Sequence, residues 1–426
     1  MCQFSDIHYT ILQLLYECGW VSRSMLNMTG YSYTYQTRRL KSLLDAGFIR
    51  KQGQGENKHY ALATKGRNQL AIYNTCRFSG SFTDQNRKMS RHPDRAMLRG
   101  DVAAMLSFAG YSVHHDDKPP FPAHTHPLPD NPDAGNWKTL YSNAYQHSYP
   151  HEIDRRTYIK RTSAVGCYYD ATILKDQLSD SEGNEGVSYS RACGALMTPS
   201  HLLRVYHSRD VAMKVKATGE RNFQNLLQSE RIFTGFMPEE HGGILIFGDD
   251  FTAAVRIVEH NIYGGSSRMP IYAKKKGRMQ NIGGKKVSVG EMLTPTNLGN
   301  PSFYSPLCSE SLDILTIMQF PFWQEMLLRE ISTEIFGFPD STRWCFQHDG
   351  YVVYILVALD LVQIDTTFRT IKNNSQQKTR IICLHWQESF FCKLLEPYAG
   401  KQDIWLTKIT AGHMADISQA IERSWQ

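Results

Sequence analysis

The chain has 426 residues, 41% hydrophobic and 21% charged, with a formal net charge of +6. That balance excludes disordered and collagen-like classes, and the length suggests two or three domains. No apolar run reaches the ~20 residues that span a bilayer, and the first residues, Met1 to Asp6, lack the basic-then-apolar order of a signal peptide. A cytoplasmic protein with no membrane partner is expected. The nine cysteines are odd in number and scattered without a C-x-x-C pair, which predicts reduced, packed thiols rather than disulfides or a cysteine zinc site.

The charge is unevenly placed. Residues 1–74 hold nine Lys and Arg against four Asp and Glu, five of the six net charges in about a sixth of the chain. A small segment this basic points to a polyanion partner. Ile7, Ile11, Leu14, Leu15 and Cys18 recur at helical spacing and predict a first helix, stopped by Gly19. Ser22 can cap a short second helix through Met25 and Leu26 that ends at Gly30. Ser32 can cap a third, Tyr33 to Ala46, with Gln36, Leu40, Leu43 and Leu44 inward and Gly47 as its left-handed exit. A hairpin follows, with a strand from Phe48 to Gln52, a flexible tip over 53–57 and a return over His59 to Leu62. Thr64 can cap a last helix running to Tyr73. Three helices, a two-stranded wing and a closing helix form the order of a winged helix-turn-helix. Its apolar stripe is complete enough to predict folding without the rest of the chain.

Residues 75–92 read as a polar linker, and 93–426 as a large α/β domain. A helix is expected from Asp94 to Ala109 and a strand around Tyr111 to His115. Residues 116–150 carry seven prolines and read as a surface insertion. Strands are expected over Cys167–Leu174, Ala192–Thr198, Leu202–Ser208 and Val211–Ala217, then a helix over Glu220–Phe233 and a strand over Gly243–Phe247. A helix through Ala253 and Val258 leads to a basic, Gly-rich segment, 264–290. Later strands are expected over Tyr351–Leu361, Arg380–Leu384 and Asp403–Ile409. Helices are expected over Glu388–Tyr398 and from about Met414.

In a winged helix-turn-helix the N-terminal end of the third helix meets base edges in the major groove. Here that end presents Tyr33, Thr34, Tyr35, Thr37, Arg38 and Arg39, with Lys41 one turn on. Arg suits guanine edges or phosphates, and Tyr and Thr suit phosphates or thymine methyls. Arg50, Lys51 and Lys58 sit on the wing, in reach of the flanking backbone. The run Leu40-Lys41-Ser42-Leu43-Leu44-Asp45-Ala46-Gly47-Phe48-Ile49, followed by His59-Tyr60-Ala61-Leu62-Ala63-Thr64-Lys65-Gly66-Arg67, resembles winged-helix proteins of bacteria and their mobile elements. Arg91-His92-Pro93-Asp94-Arg95 before a helix, with the order of elements, also resembles replication-relaxation proteins of plasmids and conjugative elements. The resemblance implies site-specific duplex binding in control of transcription, replication or transfer. Double-stranded DNA is the expected partner; a homodimer and proteins of the replication or transfer machinery stay open.

The α/β region raises an alternative, since helix, strands, helix, strand is the order of PD-(D/E)xK nucleases. Such a site needs two acids on a metal ion and a Lys near the attacking water. Asp170 lies in a candidate strand, and Lys214 and Lys216 in another, but Ala212 or Met213 stands where the second acid belongs. The expectation therefore leans away from an enzyme, and no catalytic residue is assigned. A third alternative makes the large domain an assembly platform for partner proteins. His114-His115-Asp116-Asp117, His124, His126 and His151-Glu152 match no helical zinc spacing and read as solvated loop residues, so no metal or cofactor is expected. Lys274, Lys275, Lys276, Arg278, Lys285 and Lys286 form a second basic patch that can track phosphates.

Overall fold

The structure, a computed structural model, describes residues 4–53, 58–74, 93–114, 166–171, 174, 190–198, 201–209, 214–215, 219–220, 222–224, 227, 240–263, 281–282, 285–286, 291–292, 301–320, 322–338 and 341–425. The N-terminal module begins with α1 (Asp6–Cys18), whose Ile7, Ile11, Leu12 and Leu15 are buried and which ends at Gly19 with φ 83°. β1 (Val21–Ser22) leads into α2 (Arg23–Asn27), where the Ser22 hydroxyl accepts from the Met25 N–H as expected of an N-cap. α3 (Tyr33–Asp45) starts after Ser32, which occupies the capping position without a side-chain bond. Gly47, at φ 74°, turns the chain into β2 (Ile49–Gln52) and β3 (His59–Leu62). α4 (Thr64–Tyr73) closes the module, capped by position Ala63 rather than Thr64. The sequence reading missed β1, which pairs with β3 to make a three-stranded sheet of order β1-β3-β2. Two residues are too short for a period to register.

α5 (Pro93–Phe108) comes next and packs on both the module and the body. The body's first sheet contains β4 (Cys167–Asp170), β5 (Gly194–Met197) and β6 (His201–His207) as an antiparallel meander. β7 (Lys214–Val215) lies outside it. β8 (Glu240–Gly248) then runs parallel to β6 and is followed by α6 (Thr252–Tyr263). The short strands β9 (Asn281–Ile282) and β10 (Lys285–Lys286) pair with each other, and β11 (Glu291–Met292) pairs with β7. β12 (Ser302–Pro306) adds a parallel edge to β8, giving the order β12-β8-β6-β5-β4.

The helices α7 (Leu312–Ile317) and α8 (Trp323–Phe336) precede a second sheet. It is built from β13 (Cys345–His348), β14 (Tyr351–Ile355), β15 (Thr379–Leu384) and β16 (Ile404–Ile409), paired in that order. The last three are parallel, with crossovers through α9 (Leu361–Asn373) and α10 (Glu388–Leu395), and α11 (Ala411–Trp425) ends the chain. The chain is thus a mixed α/β protein. Strand alternation sorts the side chains: Tyr168, Leu196, Leu203, Val205, Leu245, Phe247, Val353 and Ile382 join the core that also holds the N-terminal module. Their neighbours Tyr169, Ala195, Leu202, Tyr206, Ile246, Tyr354 and Ile381 join a second core with α6, α9 and α10. Among the described residues no helix is long and apolar enough to cross a membrane.

Four strand expectations change. The strand expected over Cys167–Leu174 ends at Asp170, and Ala171 and Leu174 are helical. Of Val211–Ala217 the structure describes only β7, paired outside the main sheet. Around Tyr111 there is a single bridge, Ser112 to Cys167. The run Tyr351–Leu361 stops being a strand at Ile355, because the Asp360 carboxylate caps α9 through the Val362 N–H at 2.9 Å.

Candidate nucleic-acid interface

α3 divides its side chains as its period demands. Gln36, Leu40 and Leu43 are buried, and Leu44 packs partly against the same core. The buried Gln36 Nε2, with two hydrogens to share, lies 3.0 Å from the Leu26 carbonyl, 2.8 Å from the Thr29 hydroxyl and 3.1 Å from the Tyr31 carbonyl. These bonds fix the start of α3 on the turn that precedes it. The opposite face carries Tyr33, Thr34, Tyr35, Thr37, Arg38 and Lys41, all exposed, with Tyr33 at 64%.

Arg39 departs from the expected outward set. It is half-buried, with its guanidinium 4.8 Å from the Tyr35 ring centroid and its Nε enclosed. Its charge also reaches His8, whose pKa is lowered by burial first and by Arg39 second. Arg39 is thus folded back over Tyr35 of its own helix, while Arg38 extends into solvent.

A residue the sequence reading passed over organises this surface. Arg23, the first residue of α2, donates from Nη2 to the Thr37 hydroxyl at 2.8 Å and the Tyr33 carbonyl at 3.2 Å. Its guanidinium also lies 4.6 Å from the Tyr33 ring centroid. The Arg23 backbone N–H donates to the Lys58 carbonyl at 2.9 Å, which ties the start of α2 to the return strand of the wing. One arginine therefore links α3, α2 and the start of β3. Its only sequence signal was a lone cation after a capping serine.

On the wing, Arg50 and Lys51 are exposed and Lys58 is half-buried. Arg50 lies over the Trp20 ring at 5.0 Å, and Trp20 packs with Ala61 and Met97 of α5. The base of the wing is clamped by α5 at Asp101. One carboxylate oxygen accepts the Ser22 N–H at 2.7 Å and the other lies 3.0 Å from His59 Nε2, so both strands beside the wing are held by one buried acid. One residue earlier, a β-carbon at Gly100 would overlap the Trp20 carbonyl.

The remaining candidates separate. Lys274, Lys275, Lys276 and Arg278 lie outside the described residues, and Lys285 and Lys286 form β10. His115, Asp116, Asp117, His124, His126, His151 and Glu152 also lie outside them, while His114, expected in solvent, is buried beside the Tyr16 ring at 5.4 Å. Among the described residues no three His, Cys, Asp or Glu side chains are grouped to hold a metal. Asp170 ends β4 within 3.5 Å of Arg99 of α5, whereas Lys214 belongs to another strand pair and Lys216 is outside the described residues. Asp170 and Lys214 therefore lie in different sheets.

One enclosed polar cluster of the body is bonded within itself. The buried Glu220 carboxylate accepts from the Ser190 hydroxyl at 2.8 Å, the Arg191 N–H at 2.7 Å and the Tyr206 hydroxyl at 2.6 Å. Burial pushes the Tyr206 hydroxyl well above its usual range. Such a saturated cluster holds structure and offers no open atom to a substrate. Comparison with family models, curated proteins and solved structures finds no match for this chain.

Proposed function

We propose that the chain is a sequence-specific double-stranded DNA-binding protein whose first 74 residues act as a winged helix-turn-helix. The observation that carries this is the exposed start of α3, where Tyr33, Thr34, Thr37 and Arg38 face solvent beside a basic wing and Arg23 locks their geometry. A rigid, exposed row of hydroxyls, a ring and a guanidinium suits base edges. Arg50, Lys51 and Lys58 supply sequence-independent attraction to phosphates. The family resemblance extends this to a cytoplasmic role at a site on a plasmid, phage or conjugative element, in control of transcription, replication or transfer.

Selection of sites from a random duplex library by the full chain tests the proposal. One enriched motif is expected, with binding to it lost in competition at high salt. Enrichment of nothing above the starting library would end the reading. A motif recovered as an inverted repeat would add a second copy of the chain to the complex.

A further inference from the structure

α5 reaches from the N-terminal module to the body: Met97 packs on Trp20, which lies under Arg50, and Arg95 stands two residues earlier on a different side of the same helix. Arg95 and Arg99 are four residues apart and so share one side of the helix. Arg99 is held by Asp170 at the end of β4, and Asp170 pairs in register with Gly194 of β5. Arg191, three residues before Gly194, is fixed at that same end of the sheet by its N–H bond to Glu220. Both Arg95 and Arg191 are exposed.

Among the described residues, Asp170 and Glu220 are already engaged. Asp170 faces Arg99, and the Glu220 carboxylate oxygens are taken by Ser190, Tyr206 and a backbone N–H. Partial burial, and then the Arg95 charge, lower the Arg191 pKa, with Glu220 opposing them. Two guanidinium groups that raise each other's energy are relieved by an anion placed between them, and guanidinium forks match phosphate oxygens.

We propose that Arg95 and Arg191, backed by Arg99, form a phosphate-binding site on the α/β body that holds the backbone of the duplex read by the N-terminal module. The inference rests on the DNA-binding reading and adds a second contact beyond it. The body then lengthens the footprint on the wing side and contributes affinity without sequence preference.

The test uses the full chain, the selected motif in a short duplex ending at the motif, and the same motif extended by about one helical turn beyond the wing. Wild type is expected to bind the long duplex roughly tenfold more tightly, with a salt slope steeper by about two units. The double variant Arg95→Gln/Arg191→Gln should lose that gain and that slope while binding the short duplex as wild type does. Arg38→Ala should weaken both duplexes. Equal wild-type affinity for the two lengths, or an undiminished gain in the double variant, would overturn the second site and leave the base-reading module standing. Loss of short-duplex binding in the double variant also counts against it, because the two contacts would then not be separate. Absence of binding to either duplex by wild type would remove the reading underneath.

Discussion

On α3, Tyr33, Thr34, Thr37 and Arg38 reach solvent, while in the body Glu220, Tyr206 and Arg204 are enclosed and bonded among themselves. Both regions are rich in polar groups, and the difference lies in where their hydrogen bonds go. In the body, a carboxylate taken from water is satisfied by three donors, because an unpaired buried charge costs several kcal/mol. On α3 the inward polar group, Gln36, commits its amide nitrogen to acceptors on the preceding turn while its Oε1 stays without a partner, and the outward Thr34 and Arg38 stand in solvent. The saturated groups make the frame, and the groups open to solvent make the surface available for recognition.

The joint at α5 is where the two regions meet, and breaking it has the largest expected effect. Asp101→Ala leaves the Ser22 N–H and His59 beside an emptied acceptor position, and is expected to cost about 3 kcal/mol of stability in a chemical denaturation series. Gly100→Ala drives a methyl into the Trp20 carbonyl and should cost a similar amount, about 3 kcal/mol. An Asp101→Ala protein as stable as wild type would show that the buried acid does not join the regions.

His207 sharpens the contrast through pH. It is buried at the end of β6, and burial pushes its pKa down from the usual 6.5 to about 4, with Asp101 opposing and Arg209 and His59 assisting. Asp249 lies 3.4 Å from Nε2, but that carboxylate is largely exposed and its pull is weak against the desolvation of the ring. The folded protein keeps the imidazole neutral where the unfolded chain protonates it. Its contribution is therefore complete above pH 6.5 and is lost as pH falls towards 4, on the order of 3 kcal/mol in total. His207→Asn should flatten the stability profile across that window relative to wild type; parallel profiles would refute the assignment.

The α3 surface predicts smaller effects, on binding rather than stability. Arg38→Ala should cost about 1–3 kcal/mol on the selected site and much less on scrambled DNA. Lys51→Ala should weaken both alike and flatten the salt slope by about one unit. Equal losses on both duplexes for Arg38→Ala would move that residue from base edges to phosphates.

How much of this was legible follows from what kind of signal each element leaves. α1, α3 and the two wing strands show in the sequence because their apolar periods run over four or more residues. Cys167 and Leu202 lie in runs with aromatic or β-branched residues that mark their strands, and Gly194 opens the short apolar run Ala195-Leu196-Met197. β12 was not read, because Ser302-Phe303-Tyr304-Ser305-Pro306 offers two rings between small polar residues and a proline, and its place is fixed by pairing with β8. α9 was missed because Val362, Ile364, Thr366 and Thr367 give a β-branched run, and the Asp360 cap outweighs them. At the interface, the outward face of α3 is a matter of period and was readable. Arg23 over Tyr33, the retreat of Arg39 towards His8 and the hold of Asp101 on Ser22 are tertiary contacts between residues up to 79 positions apart, and local sequence does not encode them. A fragment ending at residue 74 lacks Met97, Gly100 and Asp101, so its Trp20 face and wing base would be left without their cover.

The joint between Gly100 and Trp20 also bears on how a bound protein sits around a duplex. The segment Trp20–Ser22 cannot swivel against α5 without forcing Gly100 into the Trp20 carbonyl or stripping Asp101 from Ser22, and Arg23, next in the chain, carries that hold to α3. On the DNA-binding proposal, the bases selected by α3 would dictate the compass direction in which the α/β body projects from the DNA axis. Moving a site by about five base pairs, half a helical turn, would turn the body to the opposite side of the duplex, and a further five would bring it back. Any second factor that meets the body on DNA would therefore respond to the separation of the two sites as a wave with the pitch of the double helix.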